Sequence, residues 1–133
     1  MNLYENLLNL STAIIRSENS LENKMQSICD LLDNKLENYD WIRFYMSNIE
    51  NRTLHLGPYT GKDTEHKTIP YGKGICGQVA ETQKNLRIDD FNSESNYISC
   101  CIYVKSEIVV PIIKNGNMVG QIDIDSNTPA AFK

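Results

Sequence analysis

The tetrapeptide Lys114-Asn-Gly-Asn117 stands between two apolar runs, Glu107 to Ile113 and Met118 to Asp125. Asn-Gly supplies the two positive φ angles of a tight hairpin turn, so the runs on either side must pair antiparallel. Glu107 to Ile113 is apolar on both faces, as a central strand is. The length of the loop then decides the chemistry. A two-residue Asn115-Gly116 loop sets Glu107 opposite Ile124, away from Asp123 and Asp125. A three-residue loop, or a bulge, sets Glu107 opposite Asp125 on one face. A pocket built from these acids requires the second register.

Upstream, Leu3, Leu7, Leu10 and Ile14 recur at helical spacing over Asn2 to Arg16, with Leu8 and Ile15 widening the stripe. Ser20 is placed to cap a second helix from about Leu21 to Leu36, whose apolar face is Leu21, Met25, Ile28, Cys29 and Leu32. Cys29 there reads as a small core residue. From Asp40 the period falls to two: Ile42, Phe44 and Met46 face one way, Trp41, Arg43 and Tyr45 the other. Thr53 to Leu56 reads as a second strand, Gly57 to Lys67 as loop, Thr68 to Pro70 as a short extended segment. A short helix over Gln78 to Thr82 and a strand at Leu86 to Ile88 follow. The polar stretch Asp89 to Ser99 reads as a loop over a pocket. This order predicts an α+β domain, an antiparallel sheet with the two N-terminal helices on one face and the pocket on the other. After Ser126 no further helix is spelled, and a single domain over residues 1–133 is expected.

Composition narrows the function. A net charge of −4 with no basic run argues against nucleic acid. No apolar stretch reaches eighteen residues and no secretion signal opens the chain, so a cytoplasmic protein off the membrane is expected. The four cysteines, Cys29, Cys76, Cys100 and Cys101, then read as reduced thiols. With no CxxC pair and only His55 and His66, neither a metal site nor a cofactor is expected. A glycine-flanked cysteine (Gly72-Lys-Gly-Ile-Cys-Gly77), a second thiol pair and three acids on neighbouring strands point instead to thiol redox chemistry.

Five segments carry a more specific signal: Trp41-Ile-Arg-Phe-Tyr45, Leu56 to Lys62, Ile69 to Gly77, Ser106 to Pro111, and Gly120 to Ser126. Together, over about residues 40 to 126, they resemble the free methionine-(R)-sulfoxide reductases, GAF-domain enzymes that act on the free amino acid. The resemblance implies Cys100 as the catalytic cysteine and Glu107 as the pocket glutamate. It implies Cys76 as a second redox cysteine, Asp123 and Asp125 as pocket aspartates, and Trp41 and Tyr45 as an aromatic wall. Two positions depart from the family: His66 stands where the usual resolving cysteine is found, and Arg43 where a small residue is usual. The family's C-terminal helix is not expected in this sequence.

These residue types suit the implied reaction. A thiolate attacks a sulfoxide sulfur only if the oxygen gains protons as it leaves, which a carboxyl of raised pKa supplies. Carboxylates that repel one another favour holding one protonated, and the remaining charge can hold the ammonium of a free amino acid. Cys100 would pass to a sulfenic acid, be captured by another thiol, with Cys76 the expected one, and be restored by a dithiol such as thioredoxin. The rival expectations are a non-catalytic GAF sensor of a small ligand and a thiol switch using Cys76 and Cys100. The sequence leaves a homodimer open.

Overall fold

The computed structural model describes residues 2–90 and 104–132. Two helices come first, α1 (Leu3–Arg16) and α2 (Leu21–Lys35), each opened by a side-chain cap. Asn2 accepts from the Glu5 amide and Ser20 from the Asn23 amide, satisfying donors that a helix start leaves free. Strands β1 (Trp41–Asn48), β2 (Thr53–Thr60) and β3 (Thr68–Pro70) lead into helix α3 (Gly74–Thr82). Strands β4 (Leu86–Ile88), β5 (Ser106–Lys114) and β6 (Asn117–Ser126) complete one antiparallel sheet of order β3-β2-β1-β6-β5-β4.

Two apolar layers form on the sheet. On one face Met25 and Cys29 of α2 pack against Ile42, Phe44 and Ile124. On the other, Ile75, Val79 and Ala80 of α3 cover Tyr45, Leu54, Ile69, Val109 and Met118. The expected division holds, N-terminal helices on one face and the acids on the other. Trp41 pairs with Asp125 and Arg43 with Asp123, which puts all four on the side away from α2. Of the apolar stripe on α1 only Leu7 is buried, because that helix packs chiefly on α2 rather than on the sheet. No described helix is long and apolar enough to cross a membrane.

The hairpin combines both of its expected forms. Asn115 (φ 54°) and Gly116 (φ 81°) make a two-residue turn, and Lys114 pairs with Asn117. Between Ile112 and Ile113 the register shifts, leaving Val119 as one extra residue on β6. That bulge brings Glu107 opposite Asp125, the register a shared acidic face requires.

Two boundaries differ from expectation for local reasons. β2 runs on to Thr60, through Gly57-Pro58. Its pairing with β1 shifts by one residue between Arg43 and Tyr45, and an irregular position is where a strand tolerates proline. Helix α3 begins at Gly74 rather than Gln78, so Cys76 lies in its first turn instead of a loop. The tail forms no helix among the described residues; Ala130 donates to the Asp89 carbonyl and the Phe132 ring meets Tyr39 at 5.2 Å. Of the expected lid only Asp89 and Asp90 are described; residues 91–99 lie outside the described residues.

Gly61 offers a test of this packing. At φ +95° it sits so close to Trp41 that an added Cβ would stand 2.7 Å from the indole Cδ1 and 2.8 Å from the Asp40 carbonyl oxygen. Gly116 has a similar φ of +81° and open space around it. Gly116→Ala should cost about 1 kcal/mol of backbone strain, whereas Gly61→Ala should add about 1–3 kcal/mol for displacing Trp41. Urea unfolding of the two variants measures the difference; equal losses would mean that Trp41 is not seated on Gly61.

Candidate active site

Strand alternation and the β6 bulge carry acids, cation and thiol to one place. β1 presents Trp41, Arg43 and Tyr45, β6 presents Asp123 and Asp125, and β5 presents Glu107, all toward α3. The first turn of α3 lowers Cys76 onto this face. One ligand atom each from Cys76, Glu107 and Asp123 lie within 4.8 Å of one another. All are buried: Cys76 is 6%, Glu107 3%, Asp123 4% and Asp125 2% exposed, so water screens them little.

One cation serves the cluster from β1. Arg43 Nη1 lies 2.9 Å from Asp125 Oδ2 and 3.7 Å from Asp123 Oδ2. The guanidinium therefore pairs first with Asp125, while Asp123 Oδ1 and Asp125 Oδ1 have no hydrogen-bond partner among the described residues. A buried ion pair of this kind holds register more than it adds stability. Removing Arg43 would leave an uncompensated charge, so the departure at this position is built into the site.

Burial pushes the Glu107 carboxyl well above the usual range, and the Asp123 and Asp125 charges push it further. In Asp125 burial and the Asp123 charge also raise the pKa, opposed by a Glu107 hydrogen bond and by Arg43. Arg43 pairs with the aspartates, which leaves Glu107 as the natural seat of a retained proton. Cys76 is raised for the same reasons, burial first, then Asp123 and Asp125. A thiol held neutral in this way is a poor primary nucleophile. Cys29, on the opposite face, is pushed up to about 12 by burial and two nearby aspartates, which suits a core residue.

A narrow cleft with a cavity volume of about 10 Å³ is lined by Arg43, Tyr45, His66, Cys76, Asp123 and Asp125 among others. That space is about the size of one water molecule, so a substrate enters only as the walls part. Tyr45 is an inner wall fixed by its hydroxyl, which donates to the His66 carbonyl at 2.8 Å. His66 thus borders the pocket. Trp41 is on the same sheet face but packs on Gly61 at the strand's start, and it is not among the residues lining this pocket. Glu107 lies behind the lining, in contact range of Cys76 and Asp123. Cys100 and Cys101 fall in 91–103, outside the described residues. Arg43 is a departure from the family that shares a strand face with Trp41 and Tyr45, which in the sequence favours a polar pocket or a solvent face; its pairing with Asp125 carried no sequence signal. Thr64 and Lys73 also line the pocket and carried no signal in the sequence.

Comparison with known proteins accords with this geometry. A GAF domain model matches residues 20–133. The free methionine-R-sulfoxide reductase of Escherichia coli is 32% identical over 120 residues, 90% of this chain and 71% of that protein. The Saccharomyces cerevisiae free methionine-R-sulfoxide reductase is 44% identical over 88 residues, 65% of this chain and 48% of that protein. The solved free methionine-R-sulfoxide reductase of Neisseria meningitidis, in complex with its substrate, superposes with a TM-score of 0.89 at 25% identity, covering 98% of this chain and 77% of that one. A buried thiol–carboxyl cluster on this sheet and these similarities have one reading: the chain belongs to the GAF domain family, in the group of the free methionine-(R)-sulfoxide reductases.

Proposed function

We infer that this protein reduces free L-methionine-(R)-sulfoxide to methionine. One observation carries the reading: a thiol and a carboxyl whose pKa values burial raises, Cys76 and Glu107, converge with Asp123 on one buried face beside a polar cleft. The similarity to reductases of this name supports it.

The Cys100 thiolate, the nucleophile by its family position, attacks the sulfoxide sulfur. Glu107 protonates the sulfoxide oxygen, which passes as hydroxyl to the Cys100 sulfur while the S–O bond and the transient bond between the two sulfurs break, leaving methionine and the Cys100 sulfenic acid. Sulfur of the substrate is reduced by two electrons and the Cys100 sulfur is oxidised by two. Asp123, with one oxygen unpaired among the described residues, suits the ammonium of a free amino acid, a group that methionine within a chain lacks. Tyr45 bounds the apolar end of the substrate, and Asp125 stays tied to Arg43. Cys76, hydrogen-bonded to Asp123, gives its proton up as it attacks the sulfenic sulfur; a Cys76–Cys100 disulfide forms and water leaves. A dithiol of the thioredoxin type returns both thiols in a reducing cytoplasm.

Turnover of free methionine-(R)-sulfoxide with a dithiol tests the assignment. Cys100→Ser should abolish it, because a hydroxyl is un-ionised near neutral pH; the S epimer, whose oxygen points away from Glu107, should react poorly. Substantial turnover by Cys100→Ser would give the chemistry to another thiol, and no turnover by the native protein would favour a ligand sensor. Non-reducing peptide mapping after one equivalent of substrate should find Cys76 linked to Cys100. A Cys100–Cys101 link, or none, would remove Cys76 from the cycle.

A further inference from the structure

The cluster that makes Cys76 and Glu107 hold protons has a second consequence. Four acidic groups, the Cys76 thiol with Glu107, Asp123 and Asp125, are buried against one guanidinium. Arg43 turns its Nη1 to Asp125 at 2.9 Å and stands 3.7 Å from Asp123. The Cys76, Glu107 and Asp123 ligand atoms, within 4.8 Å of one another, therefore share a surplus of acidity that Arg43 does not balance among the described residues. A second observation points the same way. Asp125 Oδ1 and Asp123 Oδ1, on side chains only 4% and 5% exposed, are without a hydrogen-bond partner among the described residues.

We propose that Cys76, Glu107 and Asp123 form a three-ligand site for a thiophilic divalent cation of the zinc class, and that occupancy shuts the pocket to redox chemistry. The regulatory half rests on the reductase reading; the binding half does not. Around a tetrahedral zinc-class ion, with bonds of about 2.3 Å to sulfur and 2.0–2.2 Å to oxygen, ligand atoms stand about 3.3–3.7 Å apart. The three groups need only draw together slightly. Cys76 and Asp123 line the pocket, so the ion has a route in and its fourth position faces solvent or substrate. A thiolate ligand selects soft metals, and three ligands, the number among the described residues, are too few for the oxygen-rich shells of magnesium or calcium.

The exchange balances without electron transfer. The Cys76 S–H and Glu107 O–H bonds break, S–metal and O–metal bonds form, and two protons leave to water. The bound ion removes both the proton donor and the second thiol of the proposed cycle. This is an inhibitory site, distinct from a structural zinc centre, which would be closed by four protein ligands.

Cadmium is the direct probe, because a cadmium–thiolate bond gives an ultraviolet charge-transfer band. Titration belongs in a protein carrying Cys100→Ser and Cys101→Ser, in which Cys29 and Cys76 are the remaining thiols; Cys29 is fully buried on the opposite face. One equivalent should generate the band, and magnesium should neither generate nor displace it. Adding Cys76→Ser should abolish it. The isosteric changes Asp123→Asn and Glu107→Gln, made separately, should each weaken binding about tenfold or more. Zinc should displace cadmium and, in the native protein, inhibit turnover. A band that survives Cys76→Ser, that vanishes with Cys100 and Cys101, or that is indifferent to both carboxamide variants overturns the site. Cadmium binding without any turnover supports the site while sinking the reductase reading; turnover without cadmium binding does the reverse.

Discussion

The structure turns on one buried acidic cluster. Glu107, Asp123 and Asp125 are buried on one sheet face beside Cys76, with Arg43 tied to Asp125. Full ionisation of so many neighbouring acids out of water costs several kcal/mol per ion. Among the described residues, Arg43 compensates one charge, and burial raises the Glu107 pKa toward its neutral form. Each element serves that arrangement. The β6 bulge sets Glu107 opposite Asp125, β1 brings Arg43 to Asp123, and the first turn of α3 places Cys76 above them.

From this follows a division of labour between thiols. Cys29 is sealed on the helical face and raised to about 12, out of redox use. Cys76 is held neutral by the acids around it, which fits a thiol that acts second, once a sulfenic acid gives it a target. In the proposed reaction the first step falls to another thiol, the part that family resemblance gives to Cys100. The acids that raise the Cys76 pKa raise that of Glu107 as well, which suits it to the proton donation proposed above.

Much of this was legible in the residues. The caps at Asn2 and Ser20, the period change at Asp40 and the Asn115-Gly116 turn are local signals, and the structure follows them. The two candidate registers of the hairpin were visible, but the extra residue at Val119 that decides between them answers to packing. It carries Met118 under α3, in the layer with Val109 and Ile75. Gly57-Pro58 has loop chemistry and lies in a strand because neighbouring strands recruit it at an irregular position. The glycines around Cys76 concealed a helix start in the same way. Pairing of Arg43 with Asp125 is a long-range contact between strands, and sequence spacing alone does not reveal it.

The retained proton can be observed directly. Infrared spectroscopy distinguishes the carbonyl stretch of a buried carboxylic acid from the carboxylate bands. The native protein should keep one such acid band as pH rises through the ordinary carboxylate range to neutrality, and Glu107→Gln should lack it. No acid band at neutral pH, or a band unchanged by Glu107→Gln, would contradict a proton held by Glu107 and, with it, the neutral cluster on which the site depends.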